Sequence, residues 1–193
     1  MRTIRTQRLR LVPVTAENAA SLWNILQQPD LRTYQDLPNV GVSAFAEMVS
    51  KRPKRLHPAA SGRFEWLVYL AGVRKPAGWV SLRIAEREMA SGEVGYSIVR
   101  DFRSRGIATE AVRALVNEAF ENGRLARVNA YCVPENEASR RVLERVGFRL
   151  DGTLPHGATV SGQPVDVLMH RIDREVWRQS GNSMVMPASA YPA

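Results

Sequence analysis

Residues 7–14 alternate apolar and polar positions, with Leu9 and Leu11 set against Arg8 and Arg10 before Pro13. That period of two is the mark of a half-buried strand. The period then lengthens. Ala19, Leu22, Trp23 and Leu26 share one helical stripe, for which Thr15 is the expected N-cap and Gln28-Pro29-Asp30 the end. Ser43 is the expected cap of a second short helix carrying Phe45, Met48 and Val49. The basic, proline-broken stretch 51–58 reads as a solvated loop or, secondarily, part of a substrate rim. Three strand-like runs follow at 64–71, 78–85 and 93–99, separated by turn-forming stretches at 72–76 and Ser91-Gly92. Connections this short require antiparallel neighbours.

A long amphipathic helix is expected over 109–121, burying Ala111, Val112, Leu115, Ala119 and Phe120, with Asn122-Gly123 closing it. A strand at 128–133 comes next. Because a helix separates it from 93–99, the two strands should run parallel. Asn136 or Glu137 begins another helix with Val142, Leu143 and Val146 inside and Gly147 past its end. Strands near 148–154 and 164–172 follow, joined by a long Gly-rich excursion through His156. The predicted order is β-α-α-β-β-β-α-β-α-β-β. The fold class is α+β, a mostly antiparallel twisted sheet of about seven strands with one parallel pair and about four helices. It forms a single domain over 1–178, with 179–193 as a flexible or partner-docked tail.

At 193 residues the chain suits one well-buried core. No apolar run approaches the roughly 20 residues that span a bilayer. The charged start, Met1-Arg2-Thr3-Ile4-Arg5, precedes no apolar signal region, so a cytoplasmic location is expected. The single cysteine, Cys132, excludes an intramolecular disulfide and reads as a buried, inert thiol, and no metal-ligand spacing is present. The net charge of +8 admits two partners, nucleic acid or a smaller polyanion such as a nucleotide cofactor. Lysine occurs only at Lys51, Lys54 and Lys75, and the arginines are scattered without interleaved aromatics. Nucleic acid is therefore not the expected main partner.

The candidate chemistry begins at Arg103-Ser104-Arg105-Gly106-Ile107-Ala108, between the strand 93–99 and the helix opening near Thr109. The first amides of a helix have no intrahelical partner, and the helix dipole makes that end positive. Gly106 lets a phosphate approach the backbone, and Arg103 and Arg105 add charge. This is an anion site suited to a pyrophosphate.

Gly92-Glu93-Val94-Gly95-Tyr96-Ser97-Ile98, the Arg103–Gly106–Ala108-Thr109-Glu110-Ala111 block and Glu135-Asn136 with Ser139, Val142-Leu143 and Val146-Gly147-Phe148 stand in one order along the chain. Together they resemble the GNAT superfamily of acyl-CoA-dependent N-acyltransferases, and more narrowly its ribosomal-protein N-terminal acetyltransferase (RimJ/RimL-like) branch. Thr6, Arg8-Leu9-Arg10-Leu11 and Gly162, Val165-Asp166 fit that branch too. The resemblance covers roughly residues 6–178. It implies acetyl-CoA as co-substrate and no metal. The pyrophosphate would lie on the backbone of Arg103, Ser104, Arg105, Gly106, Ile107, Ala108 and Thr109. The pantetheine arm would lie in a splayed gap between the two parallel strands, along Ile98 and Val99. Asn136 matches a position that contacts the pantetheine, while Arg141, with Arg140 and Arg145, would reach the 3′-phosphate or else stand as solvated helix-surface arginines.

The resemblance also distributes the catalytic roles. An amine attacks the thioester carbonyl, and the oxyanion takes an N–H from the strand end, here Val99. Glu93 is the expected general base, directly or through water, or else a solvent-exposed strand carboxylate. Ser139 is the expected acid for the departing sulfur, or a helix-surface hydroxyl. Tyr131 is the rival acid or a pocket wall, and Tyr96 packs beside the cleft. His156 would line the acceptor mouth, and Asp166 would bind the substrate amine or make a strand-end hydrogen bond. The acceptor is a protein N-terminus or a small amine, and the enzyme a monomer or homodimer. Alternatives are a related enzyme using succinyl-CoA or a small-molecule or antibiotic acceptor, and a non-catalytic acyl-CoA- or nucleic-acid-binding module.

Overall fold

The computed structural model describes residues 1–31, 33–34, 39–85 and 90–181. Eight strands form one open sheet: β1 (Ile4–Arg5), β2 (Leu9–Pro13), β3 (Gly62–Leu70), β4 (Gly78–Ile84), β5 (Ser91–Ile98), β6 (Arg127–Cys132), β7 (Arg149–Val160) and β8 (Gln163–Asp173). Their order is β1-β2-β3-β4-β5-β6-β8-β7. Every neighbouring pair is antiparallel except β5–β6, the parallel pair expected from the intervening helix. The α-helices are α1 (Ala19–Leu26), α2 (Val42–Ser50), α3 (Ile107–Glu121), α4 (Glu137–Val146) and α5 (Arg174–Gln179). The expected α+β architecture is thus present, with a two-residue first strand and a short last helix added to it.

The sheet has a core on each face because its strands bury alternate side chains on opposite sides. On one face, Phe64, Trp66, Val80, Leu82, Val94 and Ile98 pack with Ile107, Val112 and Leu115 of α3 and Leu143 and Val146 of α4. Trp177 of α5 closes this layer against Phe120, with ring centroids 6.1 Å apart. On the other face, Leu67 and Trp79 pack with Leu22 and Ile25 of α1 and Phe45 and Val49 of α2. Glu65, also on this face and almost fully buried, is held by the guanidinium of Arg52 at the end of α2 and by Arg63 at 3.6 Å.

Several local expectations need correction. Thr15 does not cap α1: Asn18 holds the N-cap position, and its side-chain oxygen accepts from the Thr15 amide at 2.9 Å. Gly41, and not Ser43, precedes α2. Met48 faces solvent. The helix α3 starts two residues early, at Ile107, and Ser91-Gly92 belongs to β5. The excursion through His156 is no loop. It continues β7, which joins β8 by Ser161-Gly162, both at positive φ (51° and 74°), the signature of a tight hairpin turn. Two register shifts, at Leu150/Gly152 and Leu154/Ala158, interrupt the pairing and disguise the strand period. The helix α5 ends at Gln179, and residues 182–193 of the expected tail lie outside the described residues.

Candidate active site

The parallel ladder between β5 and β6 is short. It pairs Ser91 with Arg127 through Val94 with Ala130 and stops, although β5 continues to Ile98 and β6 to Cys132. The strands therefore splay toward their C-terminal ends. The Val99 amide donates to the Ala77 carbonyl at 2.9 Å, which fixes the alternation of the antiparallel β4–β5 ladder. Glu93, Gly95 and Ser97 direct their backbone groups to β4, whereas Val94, Tyr96 and Ile98 direct theirs to β6. Beyond Val94 that edge faces the open wedge. This corrects the role assigned to Val99, because its N–H is spent inside the sheet. The wedge-facing amide next to it belongs to Ile98.

The chain leaves β5 through a single 3₁₀ turn (Arg100–Phe102) and enters the turn that precedes α3. Ser104 and Gly106 have φ of 60° and 73°, so the backbone curls twice through the left-handed region within three residues. The amides of Ile107, Ala108 and Thr109 have no acceptor in the preceding turn of α3. They lie at the positive end of a 15-residue helix, immediately beyond the mouth of the wedge. This is a fit for a pyrophosphate whose attached arm enters the wedge.

The Arg103 side chain serves the protein. Its Nε donates to the Ile98 carbonyl at 2.8 Å and its Nη2 pairs with Asp30 at 2.5 Å, so its charge is compensated and it braces the turn against the end of β5. The Arg105 guanidinium stacks on Phe102, 5.9 Å from the ring centroid. Arg141 makes an i,i+4 pair with Glu137 at 2.9 Å on the exposed side of α4.

Sequence reasoning missed what stabilises the turn from behind. Arg8, at the end of the short β1–β2 connection, donates through Nε to Glu110 at 2.7 Å and through Nη1 to the Arg105 carbonyl at 3.0 Å. Thr6 Oγ1 donates to the same Glu110 carboxylate at 2.5 Å, and these donors hold that carboxyl below its ordinary range despite partial burial. The Thr6–Arg8 motif carried this signal, but its target, a hundred residues away, is visible only in the fold. Arg8→Ala is expected to raise the Kd for acetyl-CoA about three- to tenfold, the worth of one or two lost hydrogen bonds, with kcat at saturating cofactor unchanged. Calorimetry together with steady-state kinetics checks this.

At the wedge itself, Tyr96, Cys132 and Ser139 converge. Tyr96 Oη lies 2.9 Å from Ser139 Oγ, and its hydroxyl is 3.2 Å from the Ser139 carbonyl. Burial pushes the Tyr96 phenol well above its ordinary value. Burial also raises the Cys132 thiol, against the opposing pull of its hydrogen bond with Ser139. Ser139 is fixed by the helix start: Asn136 is the N-cap of α4, and its Oδ1 accepts from the Ser139 amide at 3.1 Å. Asn136 thus spends its oxygen on the cap, which leaves its amino end for a ligand.

The opposite face of the same strands carries a depression with about 200 Å³ of room, lined by Arg83, Gly92, Glu93, Asn129 and Tyr131 among others. Glu93 and Arg83 pair there at 2.5 Å, and the pairing raises the Arg83 guanidinium. Burial and the Glu93 charge both push Tyr131 up. Glu93 and Tyr131 therefore share one site, and Tyr131 lies across the sheet from Ser139. His156 and Asp166 are not in this lining. Asp166 accepts the His156 amide at 2.9 Å, inside the hairpin at the second register shift.

An acetyltransferase (GNAT) domain family matches residues 8–149. The uncharacterized N-acetyltransferase p20 of Bacillus licheniformis is 27% identical over 170 residues, covering 88% of this chain and 94% of that protein. The putative ribosomal N-acetyltransferase YdaF of Bacillus subtilis is 35% identical over 100 residues, 52% of this chain and 55% of its own length. Among solved structures, the ribosomal-protein acetyltransferase RimL in complex with coenzyme A, disulfide-linked to one of its cysteines, superimposes with a TM-score of 0.79 at 20% identity. The match covers 91% of this chain and 99% of that one.

Proposed function

The chain belongs to the GNAT acetyltransferase family, and from that premise we propose that it moves an acetyl group from acetyl-CoA to a primary amine by direct attack on the thioester. The observation that carries this reading is the end of the β5–β6 ladder at Val94 and Ala130, directly before the anion-binding turn at Gly106. The turn takes the pyrophosphate, the wedge-facing Ile98 amide takes a pantetheine carbonyl, and the thioester comes to rest near Ser139. The acceptor enters from the opposite face, along the depression that holds Glu93 and Tyr131.

The chemistry then balances without a covalent enzyme intermediate. The neutral amine nitrogen forms a bond to the thioester carbon. The carbonyl oxygen takes up the negative charge, stabilised by the Tyr96 amide, the wedge-facing N–H on the residue that touches Ser139. Collapse of that adduct breaks the carbon–sulfur bond and leaves the electron pair on sulfur. The proton lost by nitrogen passes through water to Glu93, because Glu93 sits on the paired segment of β5, about 10 Å of strand before Tyr96. Ser139 meets the departing sulfur.

A protein N-terminus is the acceptor we favour, on the likeness to a putative ribosomal acetyltransferase. The modest volume of the depression supports a second reading, a small free amine. The test is a screen of N-terminal peptides, amino acids, polyamines and aminoglycosides with acetyl-CoA and succinyl-CoA, reading release of free thiol. Acetyl-CoA with peptides is expected to give the fastest turnover. Succinyl-CoA preferred over acetyl-CoA, or turnover with small amines alone, overturns the corresponding part.

A further inference from the structure

Tyr96 has a place in the reaction that packing alone does not explain. It reaches from β5, beyond the end of the parallel ladder, to the start of α4, where its hydroxyl meets both the side chain and the carbonyl of Ser139. We propose that Tyr96 is a positioning residue for the leaving sulfur: by donating to Ser139 Oγ it frees the serine proton to point at the thiolate, so that the pair stabilises the leaving group by hydrogen bonding. The proposal rests on the assignment of Ser139 to the sulfur.

The hydrogen count sets the alternatives. Ser139 Oγ carries one proton, with Tyr96 Oη and Cys132 Sγ as its neighbours, and the single Tyr96 proton has two acceptors, Ser139 Oγ at 2.9 Å and the Ser139 carbonyl at 3.2 Å. If Ser139 donated to Tyr96, nothing would remain for the substrate. When Tyr96 donates instead along the shorter contact, to Ser139 Oγ, the serine proton is left to point into the wedge. Neither proton needs to leave. An ordinary thiol, with a pKa of about 8.5, is a stronger acid than an ordinary phenol at about 10 or any alkyl hydroxyl. Burial moves the phenol further from the sulfur in the same direction. Full proton transfer from this pair is therefore uphill. The carbon–sulfur bond breaks with its electron pair on sulfur, the thiolate accepts the Ser139 hydrogen bond, and it is protonated after release by solvent.

The test is a double-mutant cycle with Tyr96→Phe, Ser139→Ala and the double variant, with saturating acceptor and varied acetyl-CoA. Tyr96→Phe is expected to lower kcat about tenfold, the worth of one hydrogen bond to a charged or charging group, while KM for acetyl-CoA stays within about twofold. The double variant should be no slower than Ser139→Ala alone, because the tyrosine acts only through the serine. Multiplicative losses, or a loss confined to KM, would overturn the proposal and leave Tyr96 a wedge spacer. A normal kcat in Tyr96→Phe beside a slow Ser139→Ala would overturn it too, with the Ser139 role intact. Normal turnover in Ser139→Ala would instead remove the reading beneath it. Thermal melting of each variant confirms the fold.

Discussion

Gly106→Glu should weaken acetyl-CoA binding by about a hundredfold or more while leaving the domain folded. Gly106 sits at φ 73°, where a side chain strains the backbone by about 1–2 kcal/mol, a cost to the fold. The loss of affinity comes from the charge, which a carboxylate at this position brings beside the anion site. One unit charge about 5 Å from another costs about 3 kcal/mol at an effective dielectric near 20, which alone exceeds two decades in affinity. The fold should survive because the one atom close to the new Cβ, Arg8 Nη2 at 3.3 Å, is the end of a flexible side chain that can shift by a few tenths of an ångström. A Tm loss of several degrees is the expected limit for a domain of this size. Calorimetry on the folded variant reads the affinity, and near-wild-type binding would take the turn out of the cofactor site.

Ser139→Ala should lower kcat about ten- to a hundredfold, a transition-state cost of about 1.4–2.7 kcal/mol. Ground-state binding should barely change, because the hydroxyl acts as charge develops on sulfur, so KM for acetyl-CoA stays put. The backbone of the helix start is unaffected: the Asn136 cap reaches the Ser139 amide, and alanine is the better helix former. A coenzyme A thiolate is a tolerable leaving group near neutral pH, which keeps the loss from being total. Steady-state kinetics with an identified acceptor measures it, with Tyr131→Phe in parallel. A loss in the tyrosine variant with none in the serine variant would move the role across the sheet.

Which parts of this site could be read from the sequence follows from the range of the forces that build them. The strand–turn–helix at Gly106 is local, so a glycine, flanking arginines and a change of hydrophobic period are enough to find it. The parallel β5–β6 pair follows from connection length alone. Ser139 and Asn136 are neighbours on one helix start, and their relation is likewise local. Three features were hidden because they depend on partners far along the chain. Arg8 reaches Glu110 and the Arg105 carbonyl through the packing of β2 beside α3. Val99 loses its N–H to Ala77, which requires the register of β4 on β5. Arg103 looks like a free cation in the sequence, but Asp30 and the Ile98 carbonyl, contributed by other elements, claim it. The β7–β8 hairpin was misread for a different reason: two shifts of register break the alternation by which strands are found.

A crystal structure of the protein with coenzyme A tests the central claim most directly. The account predicts the pyrophosphate on the amides of the Gly106 turn, the pantetheine between β5 and β6 beyond Val94, and the sulfur within hydrogen-bond distance of Ser139 Oγ. A sulfur found instead on the opposite face, against Arg83, Glu93 and Tyr131, would contradict it.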